Sequence, residues 1–234
     1  KQHGIRLMSK IIVALDYTNP LDALEMCAKL RGVVDGFKIN HALWSQSVYI
    51  KDYTEAGELF VDCKLWDTPN TVKTVLQKIV DKGATMTTVS TLNNLATFDA
   101  IEEFKDSLMI CGVTYLTSWG GSDLIDILNY MPSAGKHLWK DNIERAQGVM
   151  KGIVCSPLDL EKVAEAELEL YGTHRFKKVC PGIGMNPGQN RTVTPMEAKA
   201  MGADYLIIGR TITNAVDPVF TAQDIKESLT ARRH

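Results

Sequence analysis

Eight short runs rich in β-branched residues punctuate the chain: "KIIVALD" ending at Asp16, "VVDGFKI" carrying Lys38, "LFVDCK", "TMTTVS" ending at Ser90, "LMICGVTYL", "MKGIVCS", "FKKVC" and "DYLIIG". Between most of them lie stretches of helical period, such as "PLDALEMCAKLRG" and "TVKTVLQKIVDKG", each closing on a glycine suited to a helix C-terminus. Successive strands start about 25 residues apart, with one longer interval between the fifth and sixth. Strands alternating with helices predict a parallel sheet with helices outside it, and eight such units predict an α/β fold of the closed (β/α)8 TIM-barrel type. An open doubly wound sheet is the competing arrangement, but no GxGxxG follows the first strand and no phosphate-binding P-loop occurs.

The 234 residues, 45% hydrophobic and 23% charged, suffice for one sizeable core, so a single barrel domain is expected over 8–234. The first seven residues, "KQHGIRL", precede a Met8–Ser9 pair that looks like a natural start, and they are expected to be an appended remnant. A net charge of -2 and a pI of about 6.2 argue against general attraction to nucleic acid or to an anionic membrane, so an anionic ligand must be held locally. No window approaches the roughly 18 apolar residues of a membrane span. A cytoplasmic protein is expected, and five scattered cysteines without CxxC spacing fit reduced thiols there. Cys63 alternates with Asp62 and Lys64 and is expected to point away from them, toward packing helices.

Polar residues acquire a pattern on this frame. Asp16, Lys38, Asp62 with Lys64, Ser90, Ser118, Ser156, Pro181 with Gly182, and Arg210 fall at or just after the C-terminal ends of the predicted strands. In a barrel those ends share one face, where barrel enzymes keep their active sites. Four charges of alternating sign, Lys38, Asp62, Lys64 and Asp67, are expected near that mouth. An opposite charge about 4 Å away is worth about 4 kcal/mol at an effective dielectric of about 20, which keeps each member ionised. A structural ion-pair network would account for the same pattern. A magnesium site would use the two carboxylates, but the two lysines already supply positive charge, so no metal is expected. The second constellation, "CPGIGMNPGQNRTVTP" followed by "ADYLIIGRTITNA", occupies the loops after the seventh and eighth strands. Many barrels bind phosphate there, and Arg210 adds a forked cationic donor.

Together "IIVALD", "GFKIN", "VDCKLWDTPNTV", "YLTS", "CPGIG" and "ADYLIIGRTIT" resemble the orotidine 5'-monophosphate decarboxylase family from about Lys10 to beyond Ala215. The resemblance implies a cofactor-free enzyme making uridine 5'-monophosphate, with Lys38, Asp62, Lys64 and Asp67 as the catalytic charges. It further implies a homodimer with shared sites, in which Asp67 reaches the partner's site. Asp16 and Thr71 match ribose-contacting positions, Ser118 a pyrimidine contact, Pro181 and Gly182 the loop near the base, and Gly209 with Arg210 the phosphate. Three features depart from the pattern. Trp66 stands where the family often has His, Gly184 where many bacterial members have Arg, and the phosphate loop is short, so that its usual Gln corresponds to Asn186 or Gln189. Related barrels that share DxKxxD and use magnesium on sugar phosphates usually carry Glu in place of Lys38. A catalytically silent nucleotide-binding barrel would not need the intact four charges.

Overall fold

The computed structural model describes residues 8–116, 135–146, 148–184 and 192–231. All eight predicted strands are present: β1 (Lys10–Leu15), β2 (Gly36–Ile39), β3 (Glu58–Leu65), β4 (Met86–Ser90), β5 (Met109–Val113), β6 (Gly152–Val154), β7 (Lys177–Cys180) and β8 (Tyr205–Ile208). They pair in parallel in sequence order, and β8 closes on β1 from Lys10↔Tyr205 to Val13↔Ile208. This is the (β/α)8 TIM barrel that the strand spacing predicts. The stretch 1–7 and the positions of Ser118, Asn186 and Gln189 lie outside the described residues.

Burial on both sides explains the apolar runs. Ile12, Ala14, Phe60, Met86, Cys111, Val179 and Ile207 form one cluster filling the barrel interior. Their strand neighbours Ile11, Val13, Leu15, Leu59, Val61, Ile110, Leu206 and Ile208 belong to a second cluster shared with the helices. Cys63 joins this outer cluster, as its alternation with Asp62 and Lys64 requires. Gly36 opens β2 so close to β3 that a side chain would collide with the Glu58 carbonyl, at 2.2 Å from an added Cβ.

The helices are α1 (Pro20–Leu30), α2 (His41–Ser45), α3 (Ile50–Ala56), α4 (Pro69–Asp81), α5 (Leu95–Ile101), α6 (Gly135–Ala146), α7 (Leu160–Tyr171), α8 (Pro195–Met201), α9 (Arg210–Thr213) and α10 (Pro218–Thr230). Their starts follow local chemistry. Asn19 caps α1 through the Leu21 N–H, and a Thr194–Glu197 capping box begins α8. The glycines predicted to end α1 and α4, Gly32 and Gly83, have φ of 76° and 78°, the left-handed region glycine adopts freely.

One ionic pair is packed into the outer layer. Glu167 of α7 is fully buried, bonded to the Lys178 ammonium of β7 and accepting from the Arg175 and Phe176 N–H groups at 2.8 Å each. Burial alone would raise the Glu167 carboxyl, but Lys178 and the two backbone donors outweigh it and hold the group below the usual glutamate value.

Candidate active site

The C-terminal ends of the strands surround a cleft of about 880 Å³. Phe60, Val154, Val179 and Ile207 of the barrel line its floor. Asp16, Lys38, Asp62, Lys64, Pro181, Gly182, Gly209 and Arg210 line it as well, so most of the residues singled out in the sequence come together. Ser90 and Ser156 are not among the lining residues. Their side chains accept local N–H bonds instead, from Leu92 at 3.2 Å and Leu158 at 3.3 Å.

Asp62 is the centre of the charged group. Its Oδ2 lies 2.8 Å from the Lys64 Nζ and 3.4 Å from the Lys38 Nζ, and Lys38 is also 3.4 Å from the Asp16 carboxylate. Asp16 therefore has an ion-pair role beyond the ribose contact implied by resemblance. Thr88 of β4 donates to the other oxygen, Asp62 Oδ1, at 2.9 Å. The Asp62 side chain is only 13% exposed, and burial by itself would raise its carboxyl. The two lysines, with the hydrogen bonds from Lys64 and Thr88, reverse that and hold it below the ordinary aspartate value.

The way Lys64 reaches the cleft differs from a regular strand. In the β3–β4 ladder Val61 pairs with Thr87 and Leu65 with Val89, so Asp62, Cys63 and Lys64 together face Thr88 alone. Lys64 sits at φ 46°, among the described residues the one non-glycine with positive φ. A left-handed lysine costs about 1–3 kcal/mol and persists only where its surroundings impose it. A bulge that re-aims side chains beside a cleft is a common use of such geometry. Both charged groups do point to the mouth, as expected, but through an interrupted ladder.

Asp67 and Thr71 follow β3 at the entrance to α4 and do not line the cleft of their own chain. Asp67 is exposed, its carboxylate accepts the Thr68 N–H at 2.6 Å, and among the described residues it has no ion-pair partner. The Thr71 and Thr68 hydroxyls are 3.0 Å apart. Trp66 beside them is 69% exposed.

At the other side of the mouth Gly182, two residues beyond the end of β7, has φ 79°, a conformation that favours glycine. Arg210 opens α9 after β8, exposed and on the cleft wall. Gly184 is packed where an added Cβ would meet the Thr211 Oγ1 at 3.0 Å and the Thr192 Cγ2 at 3.1 Å, and both threonines line the cleft. Sequence reasoning missed Thr88, Thr192 and Thr211. Threonine is ordinary in a strand, in a loop and in the first turn of a helix, where these three lie, so no local signal marks any of them.

The fold and its mouth thus define a (β/α)8 barrel that gathers carboxylates and ammonium groups at one wall of a cleft and an arginine with backbone turns at another. The orotidine 5'-phosphate decarboxylase / HUMPS family profile matches residues 9–225, and the chain belongs to that family. It is 32% identical over 237 residues to the orotidine 5'-phosphate decarboxylase of Glaesserella parasuis serovar 5, covering 94% of this chain and 99% of that protein. Identity to the orotidine 5'-phosphate decarboxylase of Vibrio vulnificus strain YJ016 is 34% over 239 residues, covering 94% and 98%. The crystal structure of orotidine 5'-phosphate decarboxylase from Lactobacillus acidophilus superposes with a TM-score of 0.77 at 27% identity, over 95% of this chain and 100% of that one.

Proposed function

We propose that this chain decarboxylates orotidine 5'-monophosphate to uridine 5'-monophosphate in pyrimidine nucleotide synthesis. The observation that carries the reading is Asp62 on the cleft wall, with the Lys64 ammonium at 2.8 Å and that of Lys38 at 3.4 Å from the same oxygen. The family membership and the named relatives support it.

Breaking the bond from C6 to the carboxylate releases carbon dioxide and leaves the electron pair on C6, a carbanion with no adjacent carbonyl to delocalise it fully. Lys64 stabilises that charge electrostatically and then transfers a proton to C6, regaining one from solvent. Asp62 faces the departing carboxylate, so its charge disfavours the bound substrate more than the transition state. Its depressed pKa supports this role, since the repulsion requires an ionised group. Arg210 and Gly209 take the phosphate, joined by Asn186 or Gln189 of the preceding loop. Asp16 serves the ribose together with Thr71, which lies outside the cleft of its own chain and reaches the site from a second copy; Ser118 serves the pyrimidine, and Pro181 with Gly182 the base. Phosphate binding far from C6 holds the base against the charges, so that binding energy serves the chemical step.

Asp67 completes the catalytic charges from a second copy of the chain. Its exposure outside the cleft of its own chain supports this, as does the apolar area of Trp66, which a partner would cover. The reaction belongs in the cytoplasm. All five cysteines are free and buried, and among the described residues no helix is long and apolar enough to cross a membrane.

The test is spectrophotometric. Adding protein to orotidine 5'-monophosphate should lower its absorbance continuously, with full activity retained in excess EDTA. No change at any protein concentration would overturn the reading, and loss of activity in EDTA would favour the magnesium-dependent barrels of sugar phosphates.

A further inference from the structure

The Thr88 hydroxyl makes two contacts that bear on both reacting side chains at once. It accepts the Lys64 backbone N–H at 2.8 Å and donates to Asp62 Oδ1 at 2.9 Å. The two roles fix each other: with a lone pair engaged by the N–H, the hydroxyl proton is free to lie along the direction of the carboxylate. Thr88 itself is fully buried, so water does not compete for either bond.

Its position on β4 explains why a side chain is needed. The ladder is regular up to Val61↔Thr87 and resumes at Leu65↔Val89. The Lys64 amide therefore falls in the gap, and the Thr88 side chain supplies the acceptor. This bond holds the backbone at the φ of 46° from which the lysine side chain extends to Asp62. Thr87, its neighbour, bonds its hydroxyl to the Val61 carbonyl at 2.9 Å, securing the last regular rung before the gap.

We propose that Thr88 is a positioning residue for the decarboxylation, clamping the Lys64 backbone in its left-handed conformation and orienting the Asp62 carboxylate. This rests on the decarboxylase reading given above. Thr88 is absent from the cleft lining, so its influence passes through Lys64 and Asp62 rather than through substrate. The proposed phosphate contacts, Arg210 and Gly209, belong to the β8 end of the cleft and have no bond to Thr88, so the loss of the clamp falls mainly on kcat.

Thr88→Val keeps the branched shape and removes both hydrogen bonds, whereas Thr88→Ser keeps the hydroxyl and removes a methyl group. A displacement of about 1 Å at a reacting group can cost on the order of a hundredfold. We expect Thr88→Val to lower kcat per folded molecule about a hundredfold with KM within about threefold, and Thr88→Ser to restore kcat to within about fivefold of wild type. A merely structural residue would change the melting temperature and the folded fraction but leave kcat per folded molecule in place. If Thr88→Val does not fold, Thr88→Ala carries the same comparison.

A second measurement is independent of turnover. The Lys64 amide proton, followed by hydrogen exchange, should be protected in wild type and in Thr88→Ser and should exchange at least about tenfold faster in the variant without the hydroxyl. An active wild type whose Thr88→Val variant keeps kcat within twofold would overturn the proposal, as would rapid exchange of the Lys64 amide in wild type. A wild-type chain that does not decarboxylate orotidine 5'-monophosphate would overturn the underlying reading instead, with the exchange comparison still deciding whether the clamp exists.

Discussion

Asp67 is the residue whose assignment depends most on a second chain, and mixing two inactive variants isolates it. One chain carries Lys64→Ala and the other Asp67→Asn. Lys64 lines the cleft of its own chain, while Asp67 is exposed outside that cleft with no ion-pair partner among the described residues. If Asp67 completes the partner's site, a mixed dimer has one site bearing both lesions and one bearing neither. Random exchange at equal concentrations makes roughly half of the dimers mixed, and half of their sites are intact, so activity should recover to roughly a quarter of wild type. The assay is the absorbance decay of orotidine 5'-monophosphate, followed as subunits exchange after mixing, with exchange shown separately by a differently tagged chain. Each variant alone should stay near zero. The recovered activity should carry a wild-type KM, because it arises from unaltered sites rather than from many weakened ones. If Asp67 acted within its own chain, every site would keep one lesion whatever the pairing. No recovery after demonstrated exchange would therefore refute the shared site while leaving the decarboxylase reading untouched.

Three further outcomes are expected. Lys64→Ala should lower kcat by at least about a thousandfold with the circular dichroism spectrum unchanged, because in the proposed mechanism the lost group acts on the transition state; turnover within tenfold of wild type would contradict that role. Arg210→Ala should weaken uridine 5'-monophosphate binding by roughly 10- to 100-fold in calorimetry and leave uridine binding unchanged, since a charge-assisted bond is worth about 1.5–3 kcal/mol. Glu167→Gln should cost about 3–5 kcal/mol in urea unfolding at neutral pH, because it leaves the Lys178 ammonium buried without its counter-charge. The Glu167 carboxyl is held below its unfolded value, so its contribution is present above the unfolded value of about 4.3 and is lost as pH falls through the folded one. The variant's stability should accordingly fall less steeply than wild type between about pH 5 and pH 3.

The strands were legible because short runs rich in β-branched and apolar residues recur at a regular spacing, with stretches of helical period between them, as a barrel requires. Their lengths were less so. "MKGIVCS" contains only the three-residue strand Gly152–Val154, since Met150 still bonds its N–H to the Ala146 carbonyl of the preceding helix. "LMICGVTYL" ends as a strand at Val113, and the ring of Tyr115 beyond it packs at a tilt of 55° against Trp139 of α6, with centroids 5.2 Å apart. A contact with the helical layer lies just before the start of β6 and just after the end of β5, and tertiary contacts of that kind leave no mark in a run of apolar letters.

The site divides along the same line, for a physical reason. Charges are costly to bury, so a lysine or carboxylate at the end of an apolar run is conspicuous, and Lys38, Asp62, Lys64 and Arg210 could be picked out one strand at a time. Their relative placement is a different kind of information. The short distance from Lys64 to Asp62 depends on a ladder that slips and on a backbone held at φ 46°, and the group that meets both is a threonine on the next strand. Threonine is also what a strand prefers for reasons of packing alone, so Thr88 reads as an ordinary strand residue until the neighbouring strand is beside it. Asp67 likewise reads as an ordinary exposed carboxylate in its own segment, and the role proposed for it comes from a second copy of the chain. What one strand's composition announces is which charged groups stand at the mouth; how they are held against one another depends on residues that look ordinary in their own segment.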